Sequence, residues 1–425
     1  MQPVRLATSR TPAGRGTAAR VAAPIEGAAS LKFGDETVYF GAEDEWGRFK
    51  RSAGRAGLTL RERPAPVDAA RLHVVIQKGR LFQQEHPEVP VLLDKGRFLL
   101  VDIDPAQADV LGDSDVPCFS IRRAEAFEAV GADARSRVVF DAPALAAPRG
   151  RAAHIKPVVE RIARATFEAD LVRLVEFPTR LSTSSSYVAA CDFATERLSA
   201  LGYETFRQEI LVRSEPSQNI VARREGAGGS ARGLVVVGAH LDSINHQGGP
   251  SSSAPGADDD GTGSAGVLEI ARALKGYAGV HDLQLVLFGG EEQGLFGSKQ
   301  FVASLNATDR ARMRAIVHMD MIGSLNTANP TVLLEGAPVS QSVMEGLASA
   351  AATYTGLAVQ TSLNPFNSDH VSFIRKGMPA VLTIEGADDA NDAIHSARDT
   401  LDRINFDLAL DTLRMNAAYV AEALA

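Results

Sequence analysis

The chain has 425 residues, of which 45% are hydrophobic and 23% charged, an ordinary globular composition that excludes a wholly disordered chain. Its net charge of −8 and pI near 5.7 argue against a broadly basic nucleic-acid-binding surface. Apolar runs such as 234–237 and 283–288 are far shorter than the ~20 residues that span a bilayer, so no membrane partner is expected. The two cysteines, Cys118 and Cys191, are too few for a disulfide framework or a cysteine zinc site. One bridge or two free thiols fit equally.

Residues 1–28 are expected to form a flexible tail. The first 25 contain no acid and set Arg5, Arg10, Arg15 and Arg20 among small residues. No apolar leader core precedes them, so the cellular address is not legible here. Residues 29–145 read as a small α+β domain, with strands expected at 37–40, 72–76, 90–93, 97–103 and 138–140 and a helix at 123–130. No residue pattern in this stretch commits it to chemistry. Residues 146–157, rich in Ala and Pro, read as a linker.

From 158 to 425 the texture changes. Apolar strands at 219–222, 234–239, 283–288, 315–319, 332–334 and 380–384 alternate with helices at 263–277, 295–305, 340–353 and 406–424. A short helix follows Asp369. This alternation predicts an α/β domain with a mixed, largely parallel sheet flanked by helices.

Acids and histidines fall where those strands end, which is where open α/β sheets bind ligands. Gly238-Ala239-His240-Leu241-Asp242-Ser243 closes the 234–239 strand. Two residues apart in extended chain share a face, so Asp242 can lie beside the His240 ring. Alone, the pair is as readily a structural one. Gly256-Ala257-Asp258-Asp259-Asp260-Gly261 places three carboxylates together, which is costly without a cation. A solvated acidic turn before a helix is the simpler alternative. The overlapping Gly261-Thr262-Gly263-Ser264-Ala265-Gly266 matches a dinucleotide fingerprint only in letters, because the preceding acids would repel a pyrophosphate. Gly289-Gly290-Glu291-Glu292-Gln293-Gly294 offers one glutamate for metal and one for proton transfer. His318-Met319-Asp320-Met321 presents Asp320 at a strand end, with His318 buried in the sheet. His395 precedes a helix start and follows an Asp-rich loop, a place for a late ligand. His246 and His281 show no partner pattern. Jointly, His plus carboxylate without Cys favours zinc or another first-row divalent ion. Five ligands exceed what one catalytic zinc takes and suit two ions sharing a carboxylate.

At these residues, together with Pro255, Leu295-Phe296-Gly297-Ser298, Ile394 and Asp399-Thr400, the sequence resembles the M28 family of co-catalytic zinc aminopeptidases, which includes bacterial secreted leucine-type enzymes. The likeness covers about residues 167–425 and none of the first ~150. It implies a zinc-exopeptidase-type fold, two zinc ions and a peptide substrate. It also implies that His240 and Asp320 hold one zinc, that Glu292 and His395 hold the other, and that Asp259 bridges them through a cis bond to Asp260. Glu291 is then the general base and acid, and Asp242 the partner of His240. Met321, Ile394 and Phe366 fall along the substrate pocket, whose apolar character suits a bulky residue such as Leu. The family's tyrosine before the last histidine or near Ser368-Asp369-His370 is replaced here by Ile394, Phe366 and Asn367, leaving Asn367 or the metals for the oxyanion. The resemblance favours a secreted or periplasmic address and an N-terminal domain that contacts the catalytic one. A two-zinc carboxypeptidase or amidohydrolase is the alternative. It needs a cation for the substrate carboxylate, and Arg375 and Arg398 are the candidates. A catalytically dead module on the same fold is the third reading.

Overall fold

The computed structural model describes residues 3–10, 26–112, 119–127, 129–130, 133–142, 148, 150–229, 232–249 and 252–425. Cys118 lies outside the described residues, and Cys191 is a buried free thiol. The chain divides into two compact units, residues 1–144 with 360–366, and residues 145–359 with 367–425. Among the described residues, no helix is long and apolar enough to cross a membrane.

The first unit holds two sheets. In the larger, the strands Ala29–Phe33 and Glu36–Ala42 form a hairpin that turns at Gly34 with φ +60, where a side chain at Cβ would meet the Phe140 ring. The strand Pro3–Arg10 pairs with Glu36–Ala42 from Val4 to Arg10. The expectation of a flexible tail over 1–28 is therefore corrected for residues 3–10: Val4 and Leu6 are buried, which supplies the apolar burial that a tail lacks. The rest of that segment up to residue 25 lies outside the described residues. A helix, Glu43–Arg55, covers the sheet with Trp46, Phe49 and Ala53 at helical spacing, and acids fill its first turn. The smaller sheet runs in the order Val91–Lys95, Phe98–Asp102, Leu72–Gln77, Phe119–Arg123, all antiparallel. The helix expected at 123–130 is also corrected. A strand ends at Arg123, a single 3-10 turn spans Ala124–Ala126, and strand resumes at Ala129–Val130. Residues 360–366 join this unit: Asp141 pairs with Thr361, and Val139 O accepts from Ser362 Oγ and Asn364 Nδ2.

An eight-stranded sheet, seven of its strands wholly in the second unit, runs in the order Glu204–Val212, Glu215–Arg224, Asp282–Phe288, Leu234–His240, Met313–Met319, Ala380–Glu385, Thr331–Glu335, Ala358–Ser362. The four central strands are parallel to one another, and antiparallel strands flank them. Their sequences are continuous apolar runs because helices cover both faces. Within the expected linker, Lys156–Arg161 is already helical, and a break at Ile162-Ala163 separates it from the helix Arg164–Val175. Ala163 N and Thr166 Oγ1 at that break both donate to the fully buried Glu269, at 2.6 and 2.7 Å, and Arg272 pairs with it.

From 234–240 the chain adds 282–288 on one side and only later 313–319 on the other. The carboxyl ends of these adjacent strands therefore flank a topological switch point, and the side chains just beyond them share one crevice. Replacing Glu269 with Ala strands two half-buried donors and a guanidinium. We expect a loss of about 3 kcal/mol, read as a lower urea midpoint at unchanged slope.

Candidate metal centre

His240 is the last residue of its strand and is fully buried. Its Nδ1 lies 3.1 Å from Asp242 O. A carbonyl only accepts, so Nδ1 carries the proton and Nε2 presents its lone pair. That Nε2 makes no hydrogen bond and lies 3.1 Å from Asp259 Oδ1 and 3.6 Å from Asp320 Oδ1. On the other side of Asp259, Oδ2 lies 3.1 Å from His395 Nε2, which is also 3.0 Å from Glu292 Oε2. Two imidazoles thus face opposite oxygens of one buried carboxylate. His240 falls into two groups whose ligand atoms lie close enough for one ion, one with Asp259 and Glu292, the other with Asp260 and Asp320.

The acids that do not face imidazole fasten the site. Asp242 meets His240 Nδ1 through its backbone carbonyl at 3.1 Å and its carboxylate at 3.6 Å, and the carboxylate also accepts the N–H groups of Glu291 and Glu292 at 3.3 Å each. Asp260 accepts from His240 N through Oδ2 and from Gly263 N and Met321 N through Oδ1. The Asp259–Asp260 bond is cis. Asp399 accepts from Asp258 N and Asp259 N at 2.9 Å each. Asp258 holds Gly323 N, Ser324 Oγ, Thr262 Oγ1 and Asn391 Nδ2.

Glu291 is 4% exposed, on the turn after the 282–288 strand. Burial alone would lower the His240 pKa, but the charge of Glu291 and contacts to Asp242, Asp259 and Asp320 raise it well above the ordinary range. The carboxylates around His240 thus favour positive charge in the pit, whether carried by a proton or by a cation. The residues present fit divalent ions.

Of the expected pocket residues, Met321 is buried at φ +55 with its N–H on Asp260, and Ile394 is half-buried beside His395. Phe366 groups with the first unit, where Arg97 lies 5.7 Å over its ring. His318 is buried, as expected, with Nε2 3.8 Å from Asp369, and His370 opens the helix His370–Ile374 at 3.5 Å from Glu335. Two neighbours were missed. The His246 ring stands edge-on to the His395 ring at 4.7 Å, and its backbone N–H donates to His395 O. Arg180 is fully buried and donates to Leu174 O, Leu241 O, Pro255 O and Gly256 O. Nothing in Pro178-Thr179-Arg180-Leu181 signals a buried cation.

Such a donor set at the strand ends of an α/β sheet is what a divalent-metal site requires. The model of peptidase family M28 matches residues 219–420. A "probable leucine aminopeptidase" of Trichophyton verrucosum (strain HKI 0517) is 29% identical over 280 residues, covering 63% of this chain and 75% of that protein. "Leupeptin-inactivating enzyme 1" of Streptomyces exfoliatus is 30% identical over 303 residues, 65% of each chain. The solved LapA aminopeptidase of Legionella pneumophila superposes with a TM-score of 0.58 at 17% identity, over 83% of this chain and 98% of that one, a likeness of fold. The chain is thus similar to peptidase family M28 over residues 219–420.

Burial pushes the Asp369 carboxyl up to about 7 and the Asp399 carboxyl up to about 8, against an ordinary 3.8. The unfolded chain releases both protons near pH ~4, so between there and about pH 7–8 the folded chain binds more protons and its stability falls as pH rises. The chelator-treated protein should therefore show a lower urea midpoint at about pH 8 than at about pH 5. Asp369→Asn should flatten that slope.

Proposed function

We propose that this chain is a metallo-aminopeptidase that removes bulky apolar N-terminal residues from peptides, using two zinc ions bridged by Asp259 and Glu291 as the general base and acid. The observation that carries the reading is the division of Asp259, whose Oδ1 faces His240 and whose Oδ2 faces His395, each 3.1 Å from an Nε2. His240 and Asp320 would hold one ion, and Glu292 and His395 the other. Asp260 stands in one of the close groups with His240 and Asp320, but its oxygens already accept three backbone N–H groups, which favours Asp259 as the bridge.

When bound, the two ions supply Lewis-acid polarisation and charge stabilisation at the scissile carbonyl. Glu291 takes the proton of the attacking water and returns it to the leaving amine. Asp242 fixes the turn that carries Glu291 and Glu292 by holding both backbone N–H groups, so the proton carrier and a ligand keep one relative position. Met321 and Ile394 offer apolar surface next to Asp320 and His395, which supports a substrate side chain such as leucine. The carboxypeptidase alternative needs a cation for the substrate carboxylate, yet Arg398 already pairs with Asp392 at 2.8 Å.

Elemental analysis should find two zinc ions per chain, and leucine-p-nitroanilide should turn over while N-acylated peptides do not. Preferential hydrolysis of C-terminally free N-acyl peptides would transfer the site to the carboxypeptidase reading. Glu291→Gln should retain both metals and lose about 10²–10⁴-fold or more in turnover, because only proton transfer is removed. Near-wild-type turnover in that metal-replete variant would remove Glu291 from its role. Asp259→Ala should lose metal from both positions; two zinc ions still bound would refute the bridge.

A further inference from the structure

One cavity is lined wholly by residues of the first unit and shares no residue with the metal centre. It measures about 660 Å³, a volume that suits a ligand of several residues. Its floor is apolar: Leu6, Val38 and Leu100 are buried, and Leu92 and Leu93 are half-buried along one wall. Two edge strands border it. Among the described residues, Arg61–Glu62 ends the larger sheet and Val91–Lys95 ends the smaller, so each has a strand partner on one side only. An open edge offers a row of backbone donors and acceptors to any extended chain that lies along it.

The charges around the cavity do not cancel. Three acids line it, and each is already engaged. Glu36 holds Arg10 at 3.2 Å and Lys95 at 3.0 Å, Glu62 holds Trp46 Nε1 at 3.0 Å and Lys50 at 3.4 Å, and Asp94 holds Arg80 at 2.9 Å. Arg61 and Arg63, both exposed, have no acidic partner among the described residues. Two guanidinium groups on an apolar trough bordered by open strand edges fit an extended chain that alternates apolar and acidic side chains. Alternation matters because successive residues of a strand point to opposite faces, one set to the leucine floor and the other to the arginine rim. The chain's own segment 11–25, which follows Arg10, carries Arg15 and Arg20 and no acid, so it does not supply that complement.

We propose that this cavity is a peptide-binding site, separate from the metal centre, for extended segments that alternate apolar and acidic residues. Binding adds a strand at the 91–95 edge, seats apolar side chains against Leu92, Leu93 and Leu100, and pairs acids with Arg61 and Arg63. It does not depend on the proposed cleavage chemistry.

The test uses the full chain and a fluorescent Ac-Ile-Glu-Val-Glu-Ile peptide, capped at its N-terminus so that an aminopeptidase does not consume it. Anisotropy should show saturable binding that weakens at least tenfold in the Arg61→Ala/Arg63→Ala variant. It should fall as salt rises and vanish when the two glutamates are replaced by lysine. Leu93→Arg, a change at a half-buried wall, should also abolish it. Turnover of leucine-p-nitroanilide should stay at the wild-type value in every variant, which separates a failure here from a failure of the catalytic reading. The proposal is overturned by absence of saturable binding, by equal binding of the lysine peptide, or by unchanged affinity in the double variant. Displacement by inorganic phosphate at the same concentration as unlabelled peptide would reduce the site to a simple anion contact and overturns it equally.

Discussion

Burial of like charge at the strand ends is the constraint that organises the second unit. Asp242, Asp258, Asp259, Asp260, Glu291, Glu292, Asp320 and Asp399 all lie below a tenth exposed around one crevice. Carboxylates so placed must be offset by cations, protons or hydrogen-bond donors, or the region does not close. The chain uses backbone N–H groups first. Asp242 ties the 291–292 turn to the end of the 234–240 strand, Asp260 ties that strand to the 263–273 helix and to Met321, and Asp399 ties the C-terminal loop to Asp258 and Asp259. The acids are therefore the cross-links between segments far apart in sequence, and the site and the fold around it form together. Arg180 adds a fixed positive charge beneath them. Burial lowers its pKa while Asp399, Asp260, Asp242 and Asp259 raise it, and four carbonyls hold its guanidinium in place.

Much of this was legible in the sequence for a physical reason. A strand buried on both faces must be a continuous apolar run, so 234–240, 282–288, 313–319 and 380–385 announce themselves, and the polar residues that interrupt each run must lie at its end. His240, Glu291, Glu292 and Asp320 could be found that way. His395 came from a loop pattern and from family likeness, because the chain returns to the site there without a strand to mark it. What stayed hidden depends on partners that are remote in sequence. Arg180 reads as a surface arginine until the carbonyls of Leu241, Pro255 and Gly256 surround it. His246 reads as a loop histidine until its ring meets His395. Local composition misled at Pro3–Arg10, where Val4 and Leu6 alternate as a strand should but small residues downstream dominate the window. At 123–130, helix-forming residues yield to strand pairing on either side, with tertiary context overriding propensity.

The way each carboxylate spends its oxygens separates cross-linkers from ligands. Asp258, Asp260 and Asp399 direct their oxygens at N–H and O–H donors on other segments, an arrangement that needs no ion. Asp259, Glu292 and Asp320 direct oxygens at the Nε2 atoms of His240 and His395. An imidazole whose Nδ1–H is already given to a carbonyl has only a lone pair at Nε2, and a lone pair facing a carboxylate oxygen at about 3 Å is repulsive unless a proton or a metal ion lies between them. A proton can satisfy one such contact, but His395 Nε2 faces oxygens of both Asp259 and Glu292, and His240 Nε2 faces those of Asp259 and Asp320. One shared proton serves a single line of centres, whereas a divalent ion accepts several donors at once from different directions. The pairing of every donor nitrogen with two carboxylates is thus what a cation-binding pit requires and what a network of hydrogen bonds alone would not retain.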